Sequence, residues 1–314
     1  MDRGVAEVNV QQTLAQSVRF SGVGLHGGAG VNLEIVSAPA DHGIVFERTD
    51  LPAGRPARVP ALWHAVADTR LCTRLENADG VSVSTVEHLM AALAGTGVHN
   101  ALVRLDGPEV PILDGSARPF ARAILQAGLR PQGRAVRVLR LRERVEVSDG
   151  AARAILEPAD TLMIDFAIDF DEPGIGHQEY ALEMANGAFL RELADARTFC
   201  RAADVEAMRS AGLALGGNYE NAVVFAGGEV LSPGGLRRRD EPVRHKMLDV
   251  MGDLALAGGP ILGRYSGVRA GHALTNRLLR ALFTRPGAAS WEECGADCRA
   301  RLPGAGISAG DLAA

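Results

Sequence analysis

The segment from residue 243 to residue 253 constrains this chain most, because it predicts both a helix and its chemistry. His245, Asp249 and Asp253 recur at every fourth position. An α-helix of 3.6 residues per turn aligns such positions in one polar stripe. Apolar residues fill most of the positions between them, so we expect the helix to be buried on most of its circumference. An imidazole and a carboxylate one turn apart can present two ligands to one zinc ion.

The same spacing also has a simpler interpretation. A histidine and an aspartate four residues apart often form a surface pair, which contributes roughly a few tenths of a kcal/mol. The segment alone leaves both interpretations open. A catalytic metal site would need a third ligand and a base from another part of the chain.

Length and composition indicate a globular protein of two domains. The chain has 314 residues, of which 47% are hydrophobic and 23% charged, and it is too long for one small core. Its net charge of −5 argues against a nucleic-acid-binding protein, which needs a basic face. We expect no transmembrane segment, because no apolar run approaches roughly 18–20 residues. Residues 1–4 do not resemble an export signal. The four cysteines contain no CxxC motif, so we expect the protein to reside in the reducing cytoplasm.

Periodicity predicts a mixture of strands and helices. Alternating apolar residues over 162–170 predict a strand with one buried face. Residues 84–95 predict a helix in which Ser84 and Glu87 have the spacing of a capping box. On this pattern alone, Glu87 has a structural role and the neighbouring His88 is an ordinary core or surface histidine.

Two of the predicted helices share a pattern. Residues 87–95 and 245–258 each place a histidine early in an apolar helix that ends at Ala-Gly. The likeness is too weak for a sequence repeat, but it suggests two halves built alike that deliver their histidines to a shared cleft. Residues 128–133 predict the boundary between the halves, and the tail from Arg285 is expected to be loosely ordered.

A glycine-rich stretch near the beginning looks superficially like a phosphate-binding loop. Residues 22–28 read GVGLHGG. They lack the GK[ST] of a Walker A loop and the GxGxxG spacing that opens a helix. We therefore interpret the stretch as a turn between two strands.

Five motifs in one order identify a family resemblance. The motifs are 84–89 (STVEHL), 111–116 (PILDGS), 196–199 (ARTF), 243–249 (VRHKMLD) and 266–274 (SGVRAGHAL). Together they closely resemble the zinc-dependent UDP-3-O-acyl-N-acetylglucosamine deacetylases of lipid A biosynthesis in Gram-negative bacteria. The resemblance covers roughly residues 10–285.

The resemblance implies the metal ligands and the base. It makes His88, His245 and Asp249 the ligands of one zinc ion, and three protein ligands leave a position open for water, as in catalytic sites. It makes Glu87 the general base. Neighbouring helix residues diverge by about 100°, so Glu87 can reach the water while His88 binds the metal.

The resemblance also implies how the oxyanion of amide hydrolysis is stabilised. Thr198 is expected to donate a hydrogen bond to it. His272, as an imidazolium, is expected to stabilise it and to protonate the leaving amine. Asp253 would keep His272 charged and oriented, and Lys246 would lie beside the site as a second cation.

For the substrate, the resemblance places Phe199 against the sugar. It makes an insert of about residues 200–224 the hydrophobic passage for the 3-O-acyl chain. Four apolar residues of the insert suit that role, although they could equally form the buried face of an ordinary amphipathic helix: Val205, Met208, Leu213 and Leu215. Residues 200–204 are less bulky than expected for this passage, which leaves the preferred chain length open. The basic run 237–239 is interpreted as a solvated loop.

We therefore predict an α+β protein of two similar domains, 1–132 and 133–314, each with helices layered on a mainly antiparallel sheet. The active site lies in the cleft between them. The predicted reaction is zinc-dependent hydrolysis of the N-acetyl group of UDP-3-O-acyl-N-acetylglucosamine by a cytoplasmic monomer. One alternative is a zinc amidohydrolase for another N-acyl amino sugar, and another is a carrier protein in which zinc is only structural.

Overall fold

The computed structural model describes residues 10–307 and residue 311. It confirms the predicted class, since helices pack against mainly antiparallel sheets. The first part of the chain contains β1 (Val10–Leu14), β2 (Val18–Val23), β3 (Gly30–Ser37), β4 (Ile44–Arg48), β5 (Arg58–Pro60), β6 (Val66–Asp68), β7 (Arg74–Glu76), β8 (Ser82–Val83), α1 (Glu87–Thr96), β9 (Ala101–Leu105), α2 (Arg118–Ala127) and β10 (Leu129–Ala135), with a 3₁₀ turn at Trp63–Ala65.

The main sheet of this first part has five strands in the order β2-β3-β9-β4-β5. All of its pairs are antiparallel except β4 with β9. Side chains alternate between faces along a strand, so Val31, Leu33 and Ile35 of β3 are all buried in the core. A separate antiparallel pair joins β1 to β10. The division proposed at residues 132 and 133 falls within β10 and stays a prediction.

The second part of the chain builds a larger sheet. Its elements are β11 (Arg137–Leu141), β12 (Val145–Asp149), β13 (Ala152–Glu157), β14 (Leu162–Asp169), β15 (His177–Glu183), a π-helical turn (Phe189–Leu193), β16 (Phe199–Arg201), α3 (Ala202–Ser210), β17 (Val223–Ala226), β18 (Glu229–Val230), α4 (Glu241–Ala255), β19 (Ile261–Val268), α5 (His272–Thr284), β20 (Ala289–Glu293) and α6 (Ala296–Arg299).

Strand β19 is the centre of this seven-stranded sheet. It pairs with β13 in the antiparallel sense and with β11 and β14 in the parallel sense. The strand predicted over 162–170 is confirmed as β14, in which Leu162, Ile164, Phe166 and Ile168 are buried. Residues of the predicted acyl-passage insert contribute to a small sheet of order β16-β17-β18, with α3 beside it.

Helices α1 and α4 pack against each other, α4 also contacts β14 and β15, and α5 lies on β12 and β13. Nine of the ten residues of α1 are buried, among them Leu89 and Leu93. A helix this short is marginal in water, so its stability comes from packing. Burial of one leucine side chain contributes about 1.5–3 kcal/mol. The buried apolar side chains of both parts form one contiguous cluster.

Two predictions from the sequence are wrong. Ser84 and Glu87 form no capping box, since α1 begins at Glu87, Val86 is its N-cap residue, and no side chain of the described residues caps it. The described part of the tail is not loose either. Its Cys294, Cys298, Leu302 and Ala305 form a second apolar cluster with Val138 and Leu262 of the large sheet and with Val136, which directly precedes β11.

Within residues 10–307 and residue 311, none of the helices has both the length and the apolar character that crossing a membrane requires.

Candidate metal centre and active-site cleft

Three potential metal ligands converge where α1 crosses α4. One donor atom from each of His88, His245 and Asp249 lies within 4.8 Å of the others. The Oδ1 atom of Asp249 is 3.6 Å from Nε2 of His88 and 3.3 Å from Nε2 of His245. The two imidazole rings meet edge to face, with centroids 4.9 Å apart. Two histidines and one aspartate are the ligand types and the number typical of catalytic zinc sites.

The surroundings of Asp249 and His245 fit a bound cation. The buried Oδ1 atom of Asp249 has no hydrogen-bond partner among the described residues, although such an atom normally has one. Its Oδ2 atom accepts a hydrogen bond of 2.6 Å from Lys246. His245 donates from Nδ1 to the carbonyl oxygen of Ala196 at 3.0 Å, which leaves the Nε2 lone pair for a metal. Burial lowers the pKa of His245 to about 4, so the ring is neutral.

The segment 196–199 is held against α4 by a buried ion pair. Arg197 donates from Nε to Oε1 of Glu241 at 2.8 Å and from Nη2 to Oε2 at 3.1 Å. The backbone N–H of Arg197 also donates to Glu241. Glu241 begins α4, and His245 follows one turn later. The pair therefore fixes the Ala196 carbonyl that orients His245.

Glu87 lies directly beside the ligand cluster. Its Oε2 atom accepts a hydrogen bond of 3.0 Å from the backbone N–H of Thr73. Its Oε1 atom is 3.9 Å from Nε2 of His272. Burial raises the pKa of Glu87 above its usual range. A carboxylate with an increased pKa accepts a proton more readily, as a general base must.

His272 and Asp253 form a buried pair on the other side of Glu87. The Nδ1 atom of His272 donates to Oδ2 of Asp253 at 2.8 Å, and Thr73 donates its hydroxyl hydrogen to Oδ1 at 2.6 Å. Burial alone would lower the pKa of His272. The nearby carboxylates, Asp253 before the others, outweigh this effect and raise the pKa to about 9. His272 is therefore an imidazolium at neutral pH.

The remaining predicted site residues lie in the same cleft. Thr198 and Phe199 belong to the segment 196–199 and line the cleft, and the ring centroid of Phe199 is 6.3 Å from that of His245. Burial opposes a charge on Lys246, but Asp249 outweighs it and raises the pKa of the amine. Lys246 thus remains a cation at the wall of the cleft.

The cleft has a volume of about 600 Å³ and continues from the ligand cluster to the insert. Ala207 and Met208 of α3 line it, together with Leu25 and Leu71 from the first part of the chain. None of the residues of α3, all of which the structure describes, is fully buried. The apolar residues of the insert therefore do not form the buried face of an ordinary amphipathic helix, and Leu215 is 52% exposed.

A second cavity of about 400 Å³ lies at the opposite ends of α1 and α4. Met90, Leu93, Met251 and Leu254 line it, and it contains none of the predicted site residues.

Sequence reasoning missed two residues that support this site. Thr73 donates hydrogen bonds to both Glu87 and Asp253, and no motif in the sequence points to it. Arg197 belongs to the motif 196–199, but the motif does not reveal its pairing with Glu241. The basic run 237–239 lies in a loop, as predicted, and within it Arg237 donates to Asp114 and to the Asp195 carbonyl.

Together, this fold and a buried His₂Asp cluster beside a carboxylate and an imidazolium define a class, the metal-dependent hydrolases of α+β architecture. The family model described as LpxC: UDP-3-O-acyl N-acetylglycosamine deacetylase matches residues 11–284. The chain belongs to this family.

Individual relatives agree with this assignment. The UDP-3-O-acyl-N-acetylglucosamine deacetylase of Phenylobacterium zucineum is 50% identical over 278 residues, which cover 88% of this chain and 94% of the relative. The enzyme of the same name from Pasteurella multocida is 44% identical over 295 residues, which cover 93% and 95%. A third, from Myxococcus xanthus, is 49% identical over 276 residues, which cover 88% and 87%.

Proposed function

We propose that this protein hydrolyses the N-acetyl group of UDP-3-O-acyl-N-acetylglucosamine and releases acetate and a free glucosamine amine, as a step of lipid A biosynthesis. The observation that carries the proposal is the ligand cluster of His88, His245 and Asp249, in which a buried carboxylate oxygen lacks a partner among the described residues. The family to which the chain belongs supports the substrate.

Zinc is the metal we propose for this cluster. Bound by these three residues, it would supply a Lewis acid and lower the pKa of a coordinated water to about 7. Glu87 accepts a proton from the attacking water. Its carboxylate is held by Thr73, and its raised pKa suits a base.

The tetrahedral oxyanion formed by the attack needs positive charge and hydrogen bonds. His272 supplies an imidazolium to stabilise it, and Asp253 keeps that ring charged and oriented. Thr198 donates a hydrogen bond from the wall of the cleft, and Lys246 adds a second cation. When the C–N bond breaks, His272 protonates the leaving amine.

The same cleft accommodates the substrate. Phe199 contacts the sugar, and the insert of about residues 200–224 forms the passage for the 3-O-acyl chain, with Met208 on its wall. We propose that domains 1–132 and 133–314 contribute the two sides of the cleft, with the protein acting as a monomer in the cytoplasm.

The decisive experiment compares acetate release from the substrate with and without its 3-O-acyl chain. We expect turnover to depend strongly on the chain. Equal turnover of both compounds would refute the proposed substrate and would favour an amidohydrolase acting on another N-acyl amino sugar. A carrier protein would release no acetate at any zinc concentration.

A further inference from the structure

A buried carboxylate outside the proposed mechanism holds the glycine-rich stretch 22–28, here called the glycine loop. The side chain of Glu109 accepts a hydrogen bond of 2.8 Å from the backbone N–H of His26 at Oε1 and another of 2.8 Å from that of Gly27 at Oε2. The hydroxyl of Thr85 donates to Oε1 at 2.8 Å. A buried charge is costly unless such donors compensate it, and Glu109 is only 6% exposed.

The glycine loop fits around this carboxylate without space for a side chain. A Cβ atom at Gly24 would lie 2.4 Å from Oε2 of Glu109. Real Cβ atoms do not approach other atoms this closely, since the repulsion rises steeply. The glycine at residue 24 therefore permits the close approach of the backbone to Glu109.

The glycine loop in turn carries the insert. Leu215 donates its backbone N–H to the carbonyl oxygen of His26 at 3.1 Å, and Gly216 donates to that of Leu25 at 3.0 Å. A Cβ atom at Gly216 would lie 2.2 Å from the carbonyl oxygen of Gly24. The two segments are thus in direct backbone contact.

This contact helps to fix the position of α3, which otherwise packs beside β16 and β17. None of its residues, which the structure describes in full, is buried. Leu25 of the glycine loop and Met208 of α3 both line the cleft. Any movement of the glycine loop therefore changes the separation of these walls.

We propose that Glu109 is a positioning residue that sets the width of the acyl passage, and with it the preferred length of the 3-O-acyl chain. This inference rests on the proposed function. Glu109 acts through the glycine loop and does not touch the reacting atoms.

The test is Glu109→Gln, measured as kcat/KM for a series of 3-O-acyl chain lengths. The amide has the shape of the carboxylate, but its NH₂ group faces one of the two backbone N–H donors, so one hydrogen bond is lost. A hydrophobic pocket discriminates by about tenfold or more per methylene. We expect this discrimination to weaken severalfold in the variant, with zinc content unchanged.

A second variant perturbs the same contact from the insert. Gly216→Ala places a Cβ atom against Gly24, and we expect it to reproduce the altered chain-length profile. Gly228→Ala is the matched control, because no described atom lies within 4 Å of the added Cβ; its profile should match that of the unmodified protein. Ratios of kcat/KM within one variant do not depend on the fraction that folds.

An unchanged profile in both Glu109→Gln and Gly216→Ala would overturn the inference. So would an equal loss of activity for every chain length, which is the result expected of a purely structural residue. A failure of the proposed function is distinguishable, because the unmodified protein would then release no acetate or would ignore the acyl chain altogether.

Discussion

Gly252 of α4 faces the carbonyl oxygen of Glu87 in α1 so closely that a Cβ atom at residue 252 would lie 2.0 Å from that oxygen. This contact lies at the centre of the site. Asp249 precedes Gly252 by one turn, and His88 follows Glu87 directly. Because Gly252 has no side chain, α1 and α4 can approach this closely. The glycine therefore sets the distance between the ligands on the two helices.

Gly252→Ala should separate the two helices. Overpacking of a core costs about 1–3 kcal/mol, and the displacement moves His88 away from His245. We expect a lower free energy of unfolding and weaker zinc binding, measured by urea denaturation of the metal-free protein and by zinc titration. Gly30→Ala, whose Cβ atom would meet no described atom within 4 Å, is the control. Unaltered zinc affinity in Gly252→Ala would contradict the assigned role.

Glu87→Gln should separate catalysis from metal binding. The amide retains an oxygen that can accept the hydrogen bond from Thr73 but cannot serve as the base. General base catalysis contributes roughly 10²–10⁴-fold, so we expect acetate release to decrease by at least about a hundredfold. Zinc content, measured in the same samples, should stay near normal. Full activity in this variant would exclude Glu87 as the base.

Local patterns predicted correctly that His245 and Asp249 share one face of a helix, because residues four apart align in any α-helix. Their assignment as zinc ligands came from the family resemblance. Local patterns failed for Ser84. The left-handed backbone at Thr85, with φ of 57°, turns the chain directly before α1. Ser84 instead pairs with the strand-like segment around Glu109. A capping box is defined by spacing alone, and spacing does not reveal such a turn.

Thr73 could not be predicted because its partners are distant in the chain. Its backbone N–H reaches a carboxylate 14 positions away, and its hydroxyl reaches one 180 positions away. Tertiary packing alone creates both contacts. The prediction for the tail was wrong for a related reason. Its Gly-, Ala- and Cys-rich composition suggested loose order, but Cys294 and Leu302 are buried against the large sheet.

Asp253→Asn should shift the alkaline limb of the pH profile. The pKa of His272 is raised from 6.5 to about 9, so the imidazolium is present below about pH 9 and is lost above it. Without the Asp253 charge, the pKa of His272 falls. The alkaline decline of kcat/KM should therefore begin at a lower pH than in the unmodified protein. The acid limb should remain, because it reflects Glu87, whose pKa is raised by burial. An unchanged alkaline limb would disprove the coupling, and Asp79→Asn in an exposed turn is the control.

The charged pair also links stability to pH. Because the folded pKa of His272 lies above the unfolded value, its contribution to the free energy of unfolding is fully present below about pH 6.5. The contribution is lost as the pH rises through about 9. Between about pH 6.5 and pH 9, the free energy of unfolding of the metal-free protein should therefore decrease more than that of the metal-free Asp253→Asn variant.

Zinc should stabilise the folded protein through the three ligands. A ligand at 100 times its Kd stabilises the native state by about 2.7 kcal/mol. We expect the Tm of the metal-free protein to rise on addition of zinc. The rise should be small or absent in His245→Ala and Asp249→Asn. His177→Ala, a change on the exposed strand β15, should respond like the unmodified protein. An undiminished response of both ligand variants would exclude this cluster as the zinc site.

Arg197→Ala should damage both the fold and the metal centre. Removal of one partner leaves the Glu241 carboxylate buried at 1% exposure, and breaking a buried pair costs about 3–5 kcal/mol. The segment that presents the Ala196 carbonyl to His245 also loses its anchor, so zinc affinity should fall. Arg197→Lys should recover little, because an ammonium cannot reproduce the two-pronged contact. Arg19→Ala, at an exposed pair with Glu34, should change neither the free energy of unfolding nor the zinc affinity measurably.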